Sequence, residues 1–223
     1  KNLITQEGSD YECIEIKESK MRQLRCSTLD IETTGLSQEK GHRIIEVAVG
    51  SLTLQFDDEN NYLSHEIDSE VWNQRINPCR AIDPDAEAVH GISLHELKDE
   101  PLWEEVAGAV SARIGDSDLA IAHNVEFDMP FVALELMRVE EKVPDLQTYC
   151  TLENGRGSTG LGSVPSLQRL CWSLGVTYNP EDAHAADYDV NCTMLAFVKG
   201  VQSGAFDLAS ILDAMYAPEL LEE

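Results

Sequence analysis

A chain of 223 residues has room for one sizeable domain. Its hydrophobic share of 43% supports a buried core and excludes an acidic disordered chain, and no apolar run approaches the roughly 18–20 residues of a membrane span. The formal net charge of −25 repels polyanions at long range and argues against the basic footprint of a typical nucleic-acid binder.

The six cysteines, Cys13, Cys26, Cys79, Cys150, Cys171 and Cys192, show no C-x-x-C pair and no zinc spacing. They read as reduced residues, several of them in the core, and point to a cytoplasmic protein with no membrane association. The opening Lys1-Asn2-Leu3-Ile4-Thr5 has neither the apolar core nor the cleavage site of a secretory signal. Residues 1–22 are polar and acidic, with a short apolar alternation at Cys13-Ile14-Glu15-Ile16. They are expected to form an arm or an extra edge strand ahead of a single domain over 23–223.

The first element of that domain is a strand through Leu24, Cys26 and Thr28, ending by Gly35. It carries Asp30 and Glu32, whose side chains, two apart on a strand, share a face. Paired carboxylates are costly to bury without compensation, and a hard divalent cation with oxygen ligands supplies it. For an isolated Asp-x-Glu, a solvated strand end with two acids is the better explanation. After the loop 35–42, segments 44–50 and 51–56 are β-rich, 57–61 is a turn, and 62–76 returns as a strand that closes an antiparallel meander. Asn77-Pro78 breaks it.

The pattern then changes period. A short helix is expected over 84–89, stopped near Gly91, and a longer one over 101–114 with Leu102, Val106, Val110 and Ile114 on one side. A buried strand at 118–122 leads into His123-Asn124-Val125-Glu126-Phe127-Asp128 and a helix over 127–139. Asp128 falls in the first turn, where the helix dipole tolerates a carboxylate. A helix-start aspartate serving only as a cap fits the same residues.

Segment 151–163, rich in Gly, Ser and Thr, reads as a mobile loop. Helices follow at 165–174, ended by Gly175, at 185–200 and at 206–216. Ahead of the second of these stands His184-Ala185-Ala186-Asp187-Tyr188-Asp189. His184 and Asp189 can reach one cleft, with Asp187 as a competing acid. A meander followed by helices and one further strand implies an α/β fold, a mixed sheet flanked by helices.

Three stretches in this order, Asp30-Ile31-Glu32-Thr33-Thr34-Gly35-Leu36, His123 to Asp128, and His184 followed five positions on by Asp189, resemble the DEDDh family of 3′–5′ exonucleases. Asn77-Pro78, Ala88-Val89-His90-Gly91-Ile92 and the run from Ser166 to Val176 are similar to connecting segments of its epsilon-like members. The resemblance covers about residues 25–200. It implies a ribonuclease-H-like fold and an exonuclease domain over 23–223.

The resemblance further implies a site for two divalent metal ions, Mg²⁺ or Mn²⁺. Asp30, Glu32, Asp128 and Asp189 would hold them, and His184 would be the general base. Phosphodiester hydrolysis needs an activated water, a clamp on the non-bridging oxygens and relief of charge on the leaving oxygen, and two such ions roughly 3.5–4 Å apart supply all three. The family's terminal-nucleotide pocket carries over to Thr33, Thr34, Leu36, His123, Asn124 and Phe127. The expected substrate is the 3′ end of a single-stranded nucleic acid, DNA ahead of RNA, and the implied partner is a DNA polymerase or another replication protein. The alternatives are an RNA-trimming enzyme of ribonuclease T type and a non-catalytic polymerase-binding module. Arg43, Arg156 and Arg169 are candidate strand contacts, and sparse basic residues suggest a short footprint.

Overall fold

The computed structural model describes residues 21–217 apart from residue 161. Nearly all of the expected N-terminal arm, including Cys13, and the acidic tail after 217 lie outside the described residues. Strand β1 (Arg22–Thr33) is the centre of the fold, with β2 (Ile44–Phe56) antiparallel along one side. Segments 44–50 and 51–56 are one continuous strand. The return strand expected over 62–76 is two pieces, β3 (Tyr62–Ile67) and β4 (Trp72–Arg75), both antiparallel to β2. Polar residues at 68–70 interrupt the pairing between them, and the exposed residues of β3 suit a sheet edge.

On the other side of β1 lie β5 (Leu119–Ala122) and then β6 (Gln147–Cys150), both parallel. The six strands run β3-β2-β1-β5-β6, with β4 beside β2. Strand β6 was not expected, because Gln147-Thr148-Tyr149-Cys150 is short and largely polar. Its partner β5, with four buried residues, supplies the pairing that its own sequence does not advertise.

Helix α1 (Pro84–His90) ends at Gly91 in the left-handed conformation, as expected of glycine at a helix terminus. Helix α2 (Trp103–Gly115) buries Trp103, Val106, Val110 and Ile114, and the Glu105 carboxylate accepts from the Leu102 amide at 2.7 Å at its start. Helix α3 (Val125–Arg138) begins two residues earlier than its apolar spacing indicates. Helices α2 and α3 cover one sheet face, packing on Leu29, Ile31, Val47 and Val49.

After the one-turn helix α4 (Thr151–Asn154) come α5 (Leu167–Ser173), α6 (Ala186–Ser203) and α7 (Ala209–Tyr216). Helices α5 and α6 cover the opposite face over Leu24, Cys26, Ala48, Leu52 and Leu54. Alternation along β1 therefore sends Leu29 and Ile31 to one layer and Leu24, Cys26, Asp30 and Glu32 to the α6 side. Among the described residues, no helix is long and apolar enough to cross a membrane.

Candidate active site

The four acids of the three motifs reach one place from three elements. Asp30 and Glu32 stand at the carboxyl end of β1. Asp128, 3% exposed, lies in the first turns of α3, and Asp189, 8% exposed, in those of α6. The residues leading into both helices carry positive φ, +95° at Asn124 and +65° at His184. Such backbone is uncommon for residues other than glycine and collects at functional positions.

Asp189 is fixed on both oxygens. One accepts the Tyr178 hydroxyl at 3.1 Å and the other the His184 backbone amide at 3.1 Å. Asp187, by contrast, is exposed and accepts the amide of its neighbour Tyr188 at 2.9 Å. The structure thus sets Asp189, and not Asp187, among the other three acids. Tyr178 has no signature in the sequence, since a tyrosine between two helices is ordinary.

The acids act on one another strongly. Burial, then the charges of Asp128, Glu32, Asp189 and Glu46, hold the Asp30 carboxyl well above its usual range. Burial and then Glu46, Asp189 and Asp128 push Glu32 up to about 8. Burial likewise raises Asp128, against opposing backbone hydrogen bonds at Asp128 and Ile31. It raises Asp189 against the pull of the His184 amide and the Tyr178 hydroxyl. Among the described residues none of the four is in an ion pair with lysine or arginine.

An uncompensated cluster of hard oxygen donors is the chemistry of a site for hard divalent cations, so the donor set fits. Among the described residues no three acidic, histidine or cysteine side chains are drawn close enough to grip an ion.

Two clefts flank the cluster, and His90 at the end of α1 lines both. Its Nδ1 accepts the Ile92 amide at 3.0 Å. The larger cleft, about 710 Å³, contains the exposed His184 together with Glu46, Arg75 and Asp187. The smaller, about 510 Å³, is lined by Glu32, Thr33, Leu36, Lys40, Val89 and Phe127 among others. Leu36 at 85% and Val89 at 56% exposure are its apolar lips.

Of the residues expected to meet a terminal nucleotide, Thr33, Leu36 and Phe127 thus share one cleft with Glu32. Thr34 is fully buried, its hydroxyl bonded to His42 Nδ1 at 3.1 Å and accepting the Arg43 amide at 3.0 Å, so its side chain braces the loop. Gly35 lies flat on that histidine: a Cβ there would stand 2.4 Å from the ring. His123 bonds Thr151 Oγ1 at 3.0 Å, and burial pushes its pKa down to about 4, leaving a neutral ring. Asn124 is exposed at the start of α3. Neither His123 nor Asn124 lines the smaller cleft.

The arginines divide. Arg43 is committed to the buried Glu135 at 2.5 Å and is not free for a strand. Arg156 lies 3.6 Å from Glu153 in an exposed pair, and Arg169 is exposed on α5.

Comparison with known proteins follows the same lines. The family model described as an exonuclease matches residues 27–197. Subunit epsilon of DNA polymerase III from Rickettsia felis is 34% identical over 194 residues, covering 84% of this chain and 80% of its own. Among solved structures, the zinc-bound E. coli ExoI–ssDNA complex superposes with a TM-score of 0.63 at 20% identity, over 85% of this chain and 43% of that one. The nuclease domain of 3′hExo, a DEDDh family member bound to rAMP, gives 0.57 at 16% identity over 81% and 93%. These two likenesses show the fold, a mixed sheet of ribonuclease-H type.

Proposed function

The chain belongs to the exonuclease family and is a 3′–5′ exonuclease, and we propose that it releases nucleoside monophosphates from the 3′ end of single-stranded DNA. The observation that carries this reading is the convergence of Asp30, Glu32, Asp128 and Asp189 beside a cleft open to His184. Residue by residue, the four carboxylates would hold two divalent ions, Mg²⁺ or Mn²⁺, which would supply charge neutralisation at the scissile phosphate and a more acidic water.

The protein's own groups do the rest. His184, exposed at the cleft, takes the proton of the attacking water, a role typically worth about 10²–10⁴-fold. Its backbone amide donates to Asp189 at 3.1 Å, which sets the base beside a metal-holding acid. Leu36 and Val89 clasp the terminal base, with Phe127 and Thr33 behind them. The lips are apolar and make no demand on base identity, as removal of successive nucleotides requires.

DNA is favoured by the relatives, which are named as polymerase subunits, and by the ssDNA complex of ExoI. The polymerase relationship supports a replication protein as partner. The test is a time course on matched 5′-labelled single-stranded DNA and RNA with Mg²⁺, Mn²⁺ or EDTA. A ladder shortening from the 3′ end, faster on DNA and abolished by EDTA or Asp189→Ala, is the expected result. His184→Ala should lose at least ~100-fold in turnover with little change in binding. Faster digestion of RNA would reassign the substrate, and unchanged turnover in His184→Ala would remove the general base.

A further inference from the structure

Glu46 is a carboxylate that the reaction above leaves unused. It is 4% exposed and interrupts the apolar run Ile44-Ile45-Glu46-Val47-Ala48-Val49 of β2. The sheet register sets it directly opposite Glu32 on β1 and directly opposite Arg75 on β4. Opposed residues of antiparallel strands project from the same face. Glu32, Glu46 and Arg75 therefore form a row across three strands: acid, acid, base.

Like charges opposed in this way are destabilising, so the row needs its cation. Arg75 Nε donates to Glu46 Oε1 at 3.0 Å, Asn73 Nδ2 approaches the same oxygen at 3.5 Å, and another guanidinium nitrogen reaches Glu96 at 3.4 Å. Arg75 is the one lysine or arginine among the described residues lining the larger cleft. Two inter-strand spacings, roughly 9–10 Å, separate β1 from β4. An extended arginine and a glutamate close that gap between them. With Glu46 gone, Glu96 still holds one end of the guanidinium, and the next carboxylate along the row from Arg75 is Glu32.

We propose that Glu46 is a positioning residue that captures Arg75 and keeps the guanidinium off Glu32, leaving Glu32 free for a divalent cation. The inference rests on the metal-dependent reading of the site. An acid cluster keeps its affinity for a metal ion only while no cation of the protein competes for the same oxygens. Arg75 stands two strands from Glu32 in the register, and Glu46 stands between.

The test is Mn²⁺ binding to the metal-free protein, read by calorimetry and by the electron paramagnetic resonance of free Mn²⁺, without any turnover. Glu46→Gln keeps the shape and removes the charge. Its Mn²⁺ affinity is expected to fall ~10-fold, in the range seen when groups behind metal ligands are altered. In the double variant Glu46→Gln with Arg75→Gln the competing cation is gone, and affinity should recover toward that of the unaltered protein.

A single variant that binds as tightly as the unaltered protein overturns the proposal. So does a double variant no better than the single, the outcome expected if Glu46 and Arg75 were only a structural pair. Should Glu46→Gln fail to fold, Arg75→Gln alone decides: binding at least as tight as the unaltered protein supports the proposal, and weaker binding overturns it. Absence of Mn²⁺ binding by the unaltered protein is a different failure, one that overturns the metal-dependent reading itself and this inference with it.

Discussion

At the scale of single residues, Asp30, Glu32, Asp128 and Asp189 bind protons more tightly in the folded chain than free carboxyls do. The sign of the consequence follows from linkage. A carboxyl raised on folding stabilises the fold below its unfolded value, about 4, and that contribution is lost as pH rises through the folded value, about 8 for Glu32. Metal-free protein should therefore lose stability between about pH 4 and pH 8. A divalent ion, which binds the deprotonated acids, should reverse the trend. Thermal melts in EDTA and in Mn²⁺ across this range check it: the gap between the two curves should widen with pH. A constant gap would mean that the acids do not hold the ion. Residues of this kind differ in how legible they were. Asp30, Glu32, Asp128, His184 and Asp189 stand in motifs. Glu46 was visible only as one charge inside an apolar strand, and Arg75 and Tyr178 were not visible at all, because their partners come from other strands and helices.

At the scale of elements, what brings Asp189 to β1 is the packing of α6 across β2. The close approach is made at Gly50, where an added Cβ would stand 2.7 Å from Met194 Cε and 2.9 Å from Val190 Cγ1. Met194 can swing aside, but Val190 is β-branched, stiff and one residue from Asp189. Gly50→Ala should overpack this contact at a cost of about 1–3 kcal/mol and lift the start of α6 from the sheet. The expected result is a lower urea midpoint together with reduced turnover on single-stranded DNA. An unchanged midpoint would show that the helix yields without strain. Helix periodicity was readable for α2, α3 and α6, since each buries one stripe. The ends were less so: α3 starts at Val125 because Asn124 takes a left-handed conformation that no apolar spacing reports.

At the scale of the whole molecule, a net charge of −25 must coexist with a polyanionic substrate. The acids of the site are counted in that formal charge, bound divalent ions would offset them, and the positively charged residues near the clefts are few. Lys40 lines the smaller cleft, while Arg43 and Arg75 are held by Glu135 and Glu46. Few phosphates can then be neutralised by side chains, and each would contribute a slope of about −0.7 in log K against log salt for a single strand. Binding of a 5′-labelled oligonucleotide to the Asp189→Ala protein, titrated from low to high salt, should give a total slope shallower than about −2. A slope several times steeper would reveal an extended basic track. No such track is expected from the placement of the arginines.

The sequence by itself determined the class of fold and the order of most elements, and its motifs named the acids proposed for the site. Alternation of apolar residues is a local property, and the three motifs carry their chemistry in contiguous residues. It could not determine that Thr34 braces a loop while Thr33 faces a cleft, or that Arg43 is already spent on Glu135. Those choices depend on register and on the approach of helices from distant parts of the chain. The row Glu32–Glu46–Arg75 is the clearest case: it exists only because β1, β2 and β4, the last two separated in the chain by β3, pair in one register and turn those side chains to one face.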